Sequence, residues 1–234
     1  MIKLDDYLKP LFERAEKVLN NGLTDGEVEL ALKKAVSTIA SVESLHQTVS
    51  DRFESVVYTQ AVQEAQYGIF LISIGSYRNA YSSLRLFFEL NLAAIDFSTN
   101  ERQFLLWSLG RADISWSRLS EAQEGVLSKN FCNIFPLDLA DHAQSYRAMA
   151  TTVYRECSEF VHGNPSANSK LPEFLEFKKE TVLDWCSKLD TMYLVYVFLF
   201  SVRYLPSLNL EKKENVKSDV LEQLAHLAPI RDCL

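Results

Sequence analysis

The amino-acid sequence predicts an all-α protein that folds as a helical bundle. Apolar residues recur at helical spacing through most of the chain, and two capping boxes, beginning at Thr24 and Asn100, mark helix starts. The 234 residues include only 7 glycines and 6 prolines, which is too few for the many turns of an all-β sandwich. Because hydrophobic residues make up 47% of the chain and charged residues 24%, the composition excludes a disordered protein.

Residues 1–50 are predicted to form an N-terminal helical extension. One helix is expected over 4–19, where apolar residues follow helical spacing. A second helix is expected to begin at the capping box Thr24–Glu27 and to run to about Val49. Its apolar stripe consists of Val28, Leu32, Val36, Ile39 and Val42.

Residues 51–206 are predicted to form the main bundle. Its expected helices cover 51–74, 76–98, 100–110, 118–128, 137–161 and 172–205. Several of them end at glycine or proline, residues that stop helices, and a mobile polar loop is expected over 166–170. The most apolar run, 192–202, is too short to span a bilayer, so it is predicted to be a buried core helix.

The remaining features predict a cytoplasmic protein with no membrane segment. The first ten residues lack the apolar core of a signal peptide. The four cysteines are scattered without a CxxC pair, so free thiols in a reducing compartment are expected. Residues 207–234 are predicted to contain a charged linker over 211–217 and an amphipathic helix over 218–227.

The charge balance limits the partners that this chain can bind. Its formal net charge is -7, which excludes a broad electrostatic contact with nucleic acid but leaves room for a small basic site. The sequence also contains no glycine-rich phosphate loop and no motif that reads DNA bases.

A polar stripe lies near the end of the helix predicted over 137–161. Arg155 and His162 are seven residues apart, which places them within about 20° of each other on one helix face. Ser158 and Glu159 lie between them. The stripe suits a phosphate, but two structural roles also fit it. Histidine is common at a helix C-terminus, and Arg155 with Glu159 is an ordinary i,i+4 ion pair.

These side chains have the chemistry for RNA cleavage without a metal or cofactor. The 2′-hydroxyl of RNA is the nucleophile, and its attack needs a base, an acid and positive charge near the phosphorane. His162 would act as base or acid, and Arg155 would supply fixed charge and forked donors. Ser158 and Glu159 are expected to orient this pair, and Asn164 to donate to a phosphate from the helix end.

The helix predicted over 76–98 carries a second polar line. Arg78, Arg85, Glu89 and Asp96 fall within about 40° of each other, while the rest of that helix is apolar. The line is either a solvated face or a buried network. In a buried network, Glu89 would pair with Arg85 and orient Arg155, because a buried charge must be paired.

The motif and its surroundings resemble the HEPN superfamily. Arg155 to His162 fits the R-x(4–6)-H pattern of that superfamily, and it lies within YRECSEFVHGN at the end of a long helix. Upstream, GSYRNAYSSLRLFFELNLAAIDFS resembles the arginine-bearing helix that packs against the motif helix in such proteins. The resemblance covers 52–205 and is strongest to uncharacterised bacterial HEPN-like proteins.

The resemblance implies a metal-independent endoribonuclease of the bacterial toxin or antiphage-defence type, with RNA, including tRNA, as substrate. It nominates Arg155 and His162 as catalytic residues. It also implies a homodimer with a composite site and a partner protein from the same operon. Active members usually carry a small polar residue where this chain has Glu156. This difference and the acidic net charge favour an alternative, a non-catalytic regulator, scaffold or immunity partner.

A second alternative is a di-metal carboxylate bundle. Two Glu-x-x-His pairs, Glu43 with His46 and Glu159 with His162, match half of the ligand set of such bundles. Glu89 and either Glu16 or Glu29 would supply the single carboxylates.

Overall fold

Most of the helices that the sequence predicts are present in the structure, a computed structural model that describes residues 3–169 and 171–234. Within those two ranges the protein contains no β-strand, so the prediction of an all-α fold is confirmed. The described helices are α1 (Leu4–Thr24), α2 (Gly26–Gln47), α3 (Ser55–Ser73), α4 (Tyr77–Phe97), α5 (Glu101–Ser108), α6 (Trp116–Leu119), α7 (Lys129–Asn133), α8 (Ala143–Val161), α9 (Pro165–Asn168), α10 (Lys179–Arg203), α11 (Leu210–Leu224) and α12 (Ala228–Cys233). Short 3-10 turns cover Ala140–His142 and Leu205–Ser207.

The longest helix, α10, is the centre of the core. It packs against α2, α4, α8 and α11, and every residue from Val195 to Val202 is buried. The prediction that the run 192–202 forms a buried core helix is therefore confirmed. None of the described helices has the combination of length and apolar character that crossing a bilayer requires.

Helices α3 and α4 form a tight hairpin around Gly75. Its φ of +81° is a conformation that favours glycine, so the predicted break at this residue is confirmed. The indole Nε1 of Trp185 on α10 donates to the Ala80 carbonyl at 3.0 Å, which fixes α10 across the hairpin. Helix α4 also packs along α8, so it lies between α3 and α8.

One buried core continues across the predicted boundaries at 50/51 and 206/207. Residues of α2 and α11 belong to the same cluster as those of α4 and α10. The α2 cap is Asp25 rather than Thr24: Asp25 Oδ1 accepts from the backbone N–H groups of Glu27 and Val28, while the Thr24 hydroxyl donates to Asn20. The charged linker predicted over 211–217 is wrong, because those residues lie in α11, whose buried residues are Val216, Val220 and Leu224.

The helix predicted over 118–128 is also wrong. The chain there turns between α6 and α7, since the Glu121 carboxylate accepts from the backbone N–H groups of Gln123 and Glu124 at 2.7 and 2.6 Å. Such side-chain bonds compete with helix formation. The long helix predicted from residue 137 begins later, at Ala143, after the 3-10 turn.

The segment before α10 differs from the predicted helix start at Pro172. Residues 171–178 are not helical, because the Tyr77 hydroxyl donates to the Glu176 carbonyl at 2.9 Å and accepts from the Lys178 N–H at 2.7 Å. The loop predicted over 166–170 instead contains α9, capped by Asn164. Lys170, its last residue, lies outside the described residues.

Candidate functional site

The outer side of α8 presents Arg155 and His162 to solvent. His162 ends the helix: its N–H donates to the Ser158 carbonyl at 3.0 Å, and Gly163 then turns the chain away with a φ of +69°. Along α8, seven residues correspond to about 20° of rotation and about 10 Å of rise. The opposite side of α8 packs into the core through Tyr146, Ala150, Val153, Tyr154, Cys157 and Phe160.

The side chains of Arg155 and His162 have no polar partner among the described residues. Neither side chain forms a hydrogen bond or an ion pair with any residue in 3–169 or 171–234. The Arg155–Glu159 ion pair that the i,i+4 spacing allows is not formed, and the Glu159 carboxylate also has no polar partner within those ranges. The guanidinium and the imidazole therefore keep their hydrogen-bonding capacity for a ligand.

Two smaller residues predicted to assist them form local hydrogen bonds, which use the Ser158 hydroxyl as a donor and Asn164 Oδ1 as an acceptor. The Ser158 hydroxyl donates to the Tyr154 carbonyl at 2.8 Å. Asn164 Oδ1 accepts from the Ser166 N–H at 3.1 Å and from its hydroxyl at 3.0 Å, which caps α9. Of the residues expected to orient the pair, only Glu159 keeps its side chain available.

A cavity of about 1060 Å³ opens beside Arg155. It is enclosed by α8, the first turns of α10 and the segment that precedes α10. The ring of Phe160 stacks on that of Tyr81 at a centroid distance of 4.0 Å and forms part of its inner wall. Arg155 and Glu159 line this cavity, whereas His162 lies outside it.

Lys188 joins the two walls of the cavity. Its Nζ lies 2.9 Å from Glu156 on α8 and 2.6 Å from Asp184 on α10, and Tyr81 donates to Asp184 at 2.5 Å. Burial lowers the pKa of Lys188, but its hydrogen bonds to the two carboxylates outweigh burial and raise that pKa above its usual value. The negative charge of Glu156, which follows Arg155 in sequence, is thus offset in part by Lys188, which Glu156 shares with Asp184.

The rest of the cavity is lined by both basic and acidic side chains. Lys179 is held by Asp25 at 3.1 Å and by Glu27 at 2.7 Å. Among the described residues, four basic and five acidic side chains line the cavity, which gives them a formal charge of -1. Three of the acidic side chains have carboxylates without a polar partner in the described part of the chain: Glu159, Glu176 and Glu180.

Three residues of the predicted polar line on α4 are partly buried, and two of them, Arg85 and Glu89, contact Tyr154. Glu89 accepts a 2.5 Å hydrogen bond from the Tyr154 hydroxyl and a 3.2 Å bond from Arg85. The Arg85 guanidinium also lies 4.8 Å from the centre of the Tyr154 ring. Glu89 therefore pairs with Arg85, as the buried alternative required, but the pair positions Tyr154 and does not bond to Arg155.

The other two residues of this line, Asp96 and Arg78, lie in different surroundings. Asp96 pairs with Arg118 at 2.7 Å, although burial dominates and raises the pKa of Asp96. Arg78 is exposed and lines a separate groove formed with residues 171–175. The line on α4 is therefore not a single site.

The residues of the di-metal alternative are not brought together. Glu43 accepts from Gln66 at 3.1 Å, and His46 is buried in the core with its Nε2 3.1 Å from Asn91 Oδ1. Glu89 is taken up by Tyr154 and Arg85. Among the residues that the structure describes, no three His, Cys, Asp or Glu side chains lie close enough to hold a metal ion.

Sequence reasoning missed Lys188 and Tyr154, the two residues that set the surroundings of Arg155. Lys188 lies four residues after Asp184, so their i,i+4 ion pair could have been predicted from the sequence. Its contact with Glu156 joins α10 to α8, which are far apart in sequence, so no pattern within either helix predicts it. The hydrogen bond of Tyr154 to Glu89 spans 65 residues and leaves none either.

Comparison with known proteins identifies no relative. No protein-family model, no curated protein and no solved structure matches this chain.

Proposed function

We propose that the Arg155–His162 face of α8 cleaves RNA without a metal ion. The observation that carries this proposal is that both side chains are exposed on one helix face and have no polar partner among the described residues. An arginine and a histidine held apart from the protein's own carboxylates can both engage a phosphodiester. The ion pair of Lys188 with Glu156 supports the proposal, because it offsets the charge closest to Arg155 in sequence.

The proposed reaction uses the nucleophile that RNA itself carries. His162 takes the proton of the 2′-hydroxyl, whose oxygen attacks the adjacent phosphorus, and Arg155 stabilises the charge of the phosphorane. The bond from phosphorus to the 5′-oxygen then breaks, that oxygen takes a proton from water, and the protonated His162 returns its proton to the solvent. The products are a 2′,3′-cyclic phosphate and a 5′-hydroxyl end.

The test is cleavage of total tRNA and messenger RNA by purified protein in the presence of EDTA. We expect the wild type to produce cyclic-phosphate ends and His162→Ala to produce none. Arg155→Lys keeps the charge but loses the forked donors, so we expect it to cleave more slowly than the wild type. RNA whose 2′-hydroxyls are methylated should not be cleaved.

His226→Ala is the matched control, because His226 is also an exposed histidine and lies outside α8. It should cleave like the wild type. Equal activity of wild type and His162→Ala would overturn the proposal, as would loss of all activity on addition of EDTA.

The proposed setting is the cytosol, with the enzyme acting in bacterial defence. The thiols of Cys132, Cys157, Cys186 and Cys233 are all free, which fits a reducing compartment. Burial raises the pKa of the Cys132, Cys157 and Cys186 thiols to about 12, so these three are unreactive core residues. A homodimer and a partner protein from the same operon belong to this proposal.

The acidic cavity favours a second candidate, a non-catalytic partner of a basic protein. Glu159, Glu176 and Glu180 present carboxylates without a polar partner among the described residues, whereas Lys179 and Lys188 are already paired with other carboxylates, so this part of the cavity favours a cationic segment. A regulator or immunity partner would use this cavity to hold a basic toxin.

Two variants separate the candidates. The triple variant Glu159→Gln, Glu176→Gln and Glu180→Gln should release a basic partner, while His162→Ala should retain it. The nuclease proposal predicts the reverse for RNA cleavage. Cleavage should be lost in His162→Ala and kept in the triple variant. Partner binding is measured by co-purification of the neighbouring gene product with each variant in turn.

A further inference from the structure

A small cavity of about 60 Å³ lies where α2, α10 and α11 pack against one another. Four hydroxyl side chains line it: Ser37, Thr38 and Ser41 from α2, and Tyr193 from α10. None of its lining residues belongs to the cavity beside Arg155. We refer to it as the three-helix cavity.

The Tyr193 hydroxyl is buried in this lining and has no hydrogen-bond partner within residues 3–169 and 171–234. Tyr193 as a whole is only 3% exposed. Ser41 and Glu222, which also line the cavity, lie near the hydroxyl but not in hydrogen-bonding geometry, so the hydroxyl is on the cavity side of the ring. Buried hydroxyls are rarely left unsatisfied in folded proteins, and one that is left so indicates a bound ion, molecule or water.

The hydroxyls on α2 are also available to a ligand. Within a helix, such a hydroxyl commonly donates to the carbonyl four residues earlier, as Ser73 does to Ile69 at 2.7 Å. None of the three α2 hydroxyls in the cavity forms this bond. Thr38 is 6% exposed, so a second nearly buried hydroxyl without a described partner lies in the same lining as Tyr193.

The charge around the three-helix cavity is negative. At its rim, Lys34 Nζ lies 2.5 Å from Asp190 Oδ2, so these two charges offset each other. The carboxylates of Glu222 and of Asp219, three residues earlier on α11, have no cationic partner in the part of the chain that the structure describes. Burial and these two carboxylates raise the pKa of Tyr193, so its hydroxyl stays neutral and keeps oxygen lone pairs for a ligand.

We propose that the three-helix cavity binds a monovalent metal ion, K⁺ or Na⁺. The ion is held by oxygen ligands only: the hydroxyls of Thr38, Ser41 and Tyr193 and the carboxylate of Glu222.

The size and chemistry of the lining decide between the possible ligands. Its negative charge disfavours an anion, and its volume is far below the several hundred Å³ of cavities that hold larger organic ligands. The lining contains no thiol and no imidazole, so it does not suit a transition metal. Ca²⁺ and Mg²⁺ rely on carboxylates, and among the described residues no three acidic side chains come together. Neutral hydroxyls beside one free carboxylate suit a single positive charge.

The proposed ion fastens α11 to the rest of the bundle, because its ligands come from all three helices. Removing it should therefore weaken the packing of α11 against α2 and α10. The inference does not rest on the ribonuclease proposal, since it uses no residue of α8. EDTA does not remove K⁺ or Na⁺, so RNA cleavage in EDTA leaves this site untouched.

Thermal unfolding of the full chain in four chloride salts at one ionic strength tests the proposal. The cations are K⁺, Na⁺, ammonium and tetramethylammonium, the last of which is too large for the cavity. We expect K⁺ or Na⁺ to raise the melting temperature above that in tetramethylammonium, and the larger rise identifies the ion. An ion at ten times its Kd raises the ratio of folded to unfolded protein about elevenfold.

Three variants locate the effect. Glu222→Gln and Tyr193→Phe should each abolish the difference between the salts. In tetramethylammonium, Tyr193→Phe should be at least as stable as the wild type, because it removes a hydroxyl without a partner, whereas in the favoured salt it should be less stable. A purely structural role for Tyr193 would not reverse sign in this way. Glu211→Gln makes the same charge change on an exposed part of α11 outside the cavity and should keep the salt difference.

Three results would overturn the proposal. Equal melting temperatures in all four salts would mean that no ion binds. Stabilisation by ammonium alone would assign the cavity to an amine rather than to a metal ion. A salt difference that survives both Glu222→Gln and Tyr193→Phe would arise elsewhere on the protein. Circular dichroism of each variant confirms that the helices are intact before the salts are compared.

Discussion

The hydroxyl of Tyr154 donates a 2.5 Å hydrogen bond to Glu89, which joins α8 to α4 immediately beside Arg155. The Trp116 ring stacks on Tyr154 at a centroid distance of 3.7 Å, and Arg85 lies 4.8 Å from the centre of the Tyr154 ring. The buried side chain of Tyr154 thus sets the backbone position from which the next residue, Arg155, projects into solvent.

Tyr154→Phe should lower the free energy of unfolding by about 1 to 3 kcal/mol. The variant removes one donor from Glu89, whose side chain is only 14% exposed, and leaves the ring contacts in place. Burial and the adjacent Glu89 raise the Tyr154 pKa, so the phenol stays a proton donor throughout the neutral range. Urea unfolding followed by circular dichroism measures the difference.

Tyr146→Phe is the control for this substitution. Tyr146 lies on the same helix and stacks on Phe198 at 3.8 Å, but its hydroxyl has no hydrogen bond to a described residue. We expect a change of less than about 0.5 kcal/mol. Equal losses in the two variants would show that the Tyr154–Glu89 bond adds nothing beyond the ring.

Local patterns predicted the helices but not the segments that long-range contacts shape. Asn100 caps α5 as predicted, with its side chain accepting from the Gln103 N–H. The predicted start of α10, at residue 172, lies before the observed start at residue 179, because Tyr77, about 100 residues earlier, holds the intervening segment in a non-helical form. No pattern within residues 171–178 indicates such a contact.

The candidate site was predictable only where it lies on one helix. The common face of Arg155 and His162 follows from helix geometry, and both side chains are exposed as a binding face requires. The charge balance around Arg155 was not predictable, because it depends on Lys188 meeting Glu156 across two helices.

Gly68→Ala should destabilise the protein although alanine favours helix. A Cβ at residue 68 would lie 2.8 Å from the Trp185 ring, which is fully buried and held by its bond to Ala80. Overpacking of this kind costs roughly 1 to 3 kcal/mol, more than the gain of about 1 kcal/mol in helix propensity. Thermal unfolding provides the measurement.

Gly26→Ala is the matched control, since nothing lies within 4 Å of a Cβ at this first residue of α2. It should leave the melting temperature unchanged or raise it. A rise of equal size in both variants would mean that the Trp185 ring moves aside at no cost.

Acid should destabilise the fold through His46 before most carboxylates titrate. Burial lowers the pKa of His46 from 6.5 to about 3, with the hydrogen bond to Asn91 opposing it only in part. Between these two pH values the unfolded chain binds a proton that the folded chain does not. Stability is therefore complete above pH 6.5 and declines by roughly 1 kcal/mol for each pH unit below it.

The variant His46→Gln tests that assignment, because its amide N–H replaces the Nε2–H donor toward Asn91 without a titratable group. Its free energy of unfolding should vary less between pH 6.5 and pH 4.5 than that of the wild type. Parallel pH profiles for the two proteins would assign the acid sensitivity to other groups.

Lys188→Met should destabilise the protein and weaken RNA cleavage together. The Lys188 side chain is 12% exposed and shares one positive charge between Glu156 and Asp184, whose side chains are 43% and 45% exposed, so removing it leaves two partly solvated carboxylates without a cation, at a cost of roughly 1 kcal/mol. The unbalanced Glu156 would then repel a phosphate approaching Arg155, and the effect should shrink as salt is added.

Lys129→Met breaks an ion pair whose side chains are 64% and 82% exposed, so it should change neither stability nor cleavage measurably. Cleavage rates measured at low and high salt, beside urea unfolding of both variants, distinguish the two effects. A stable Lys188→Met protein with full activity would show that Glu156 needs no counter-charge.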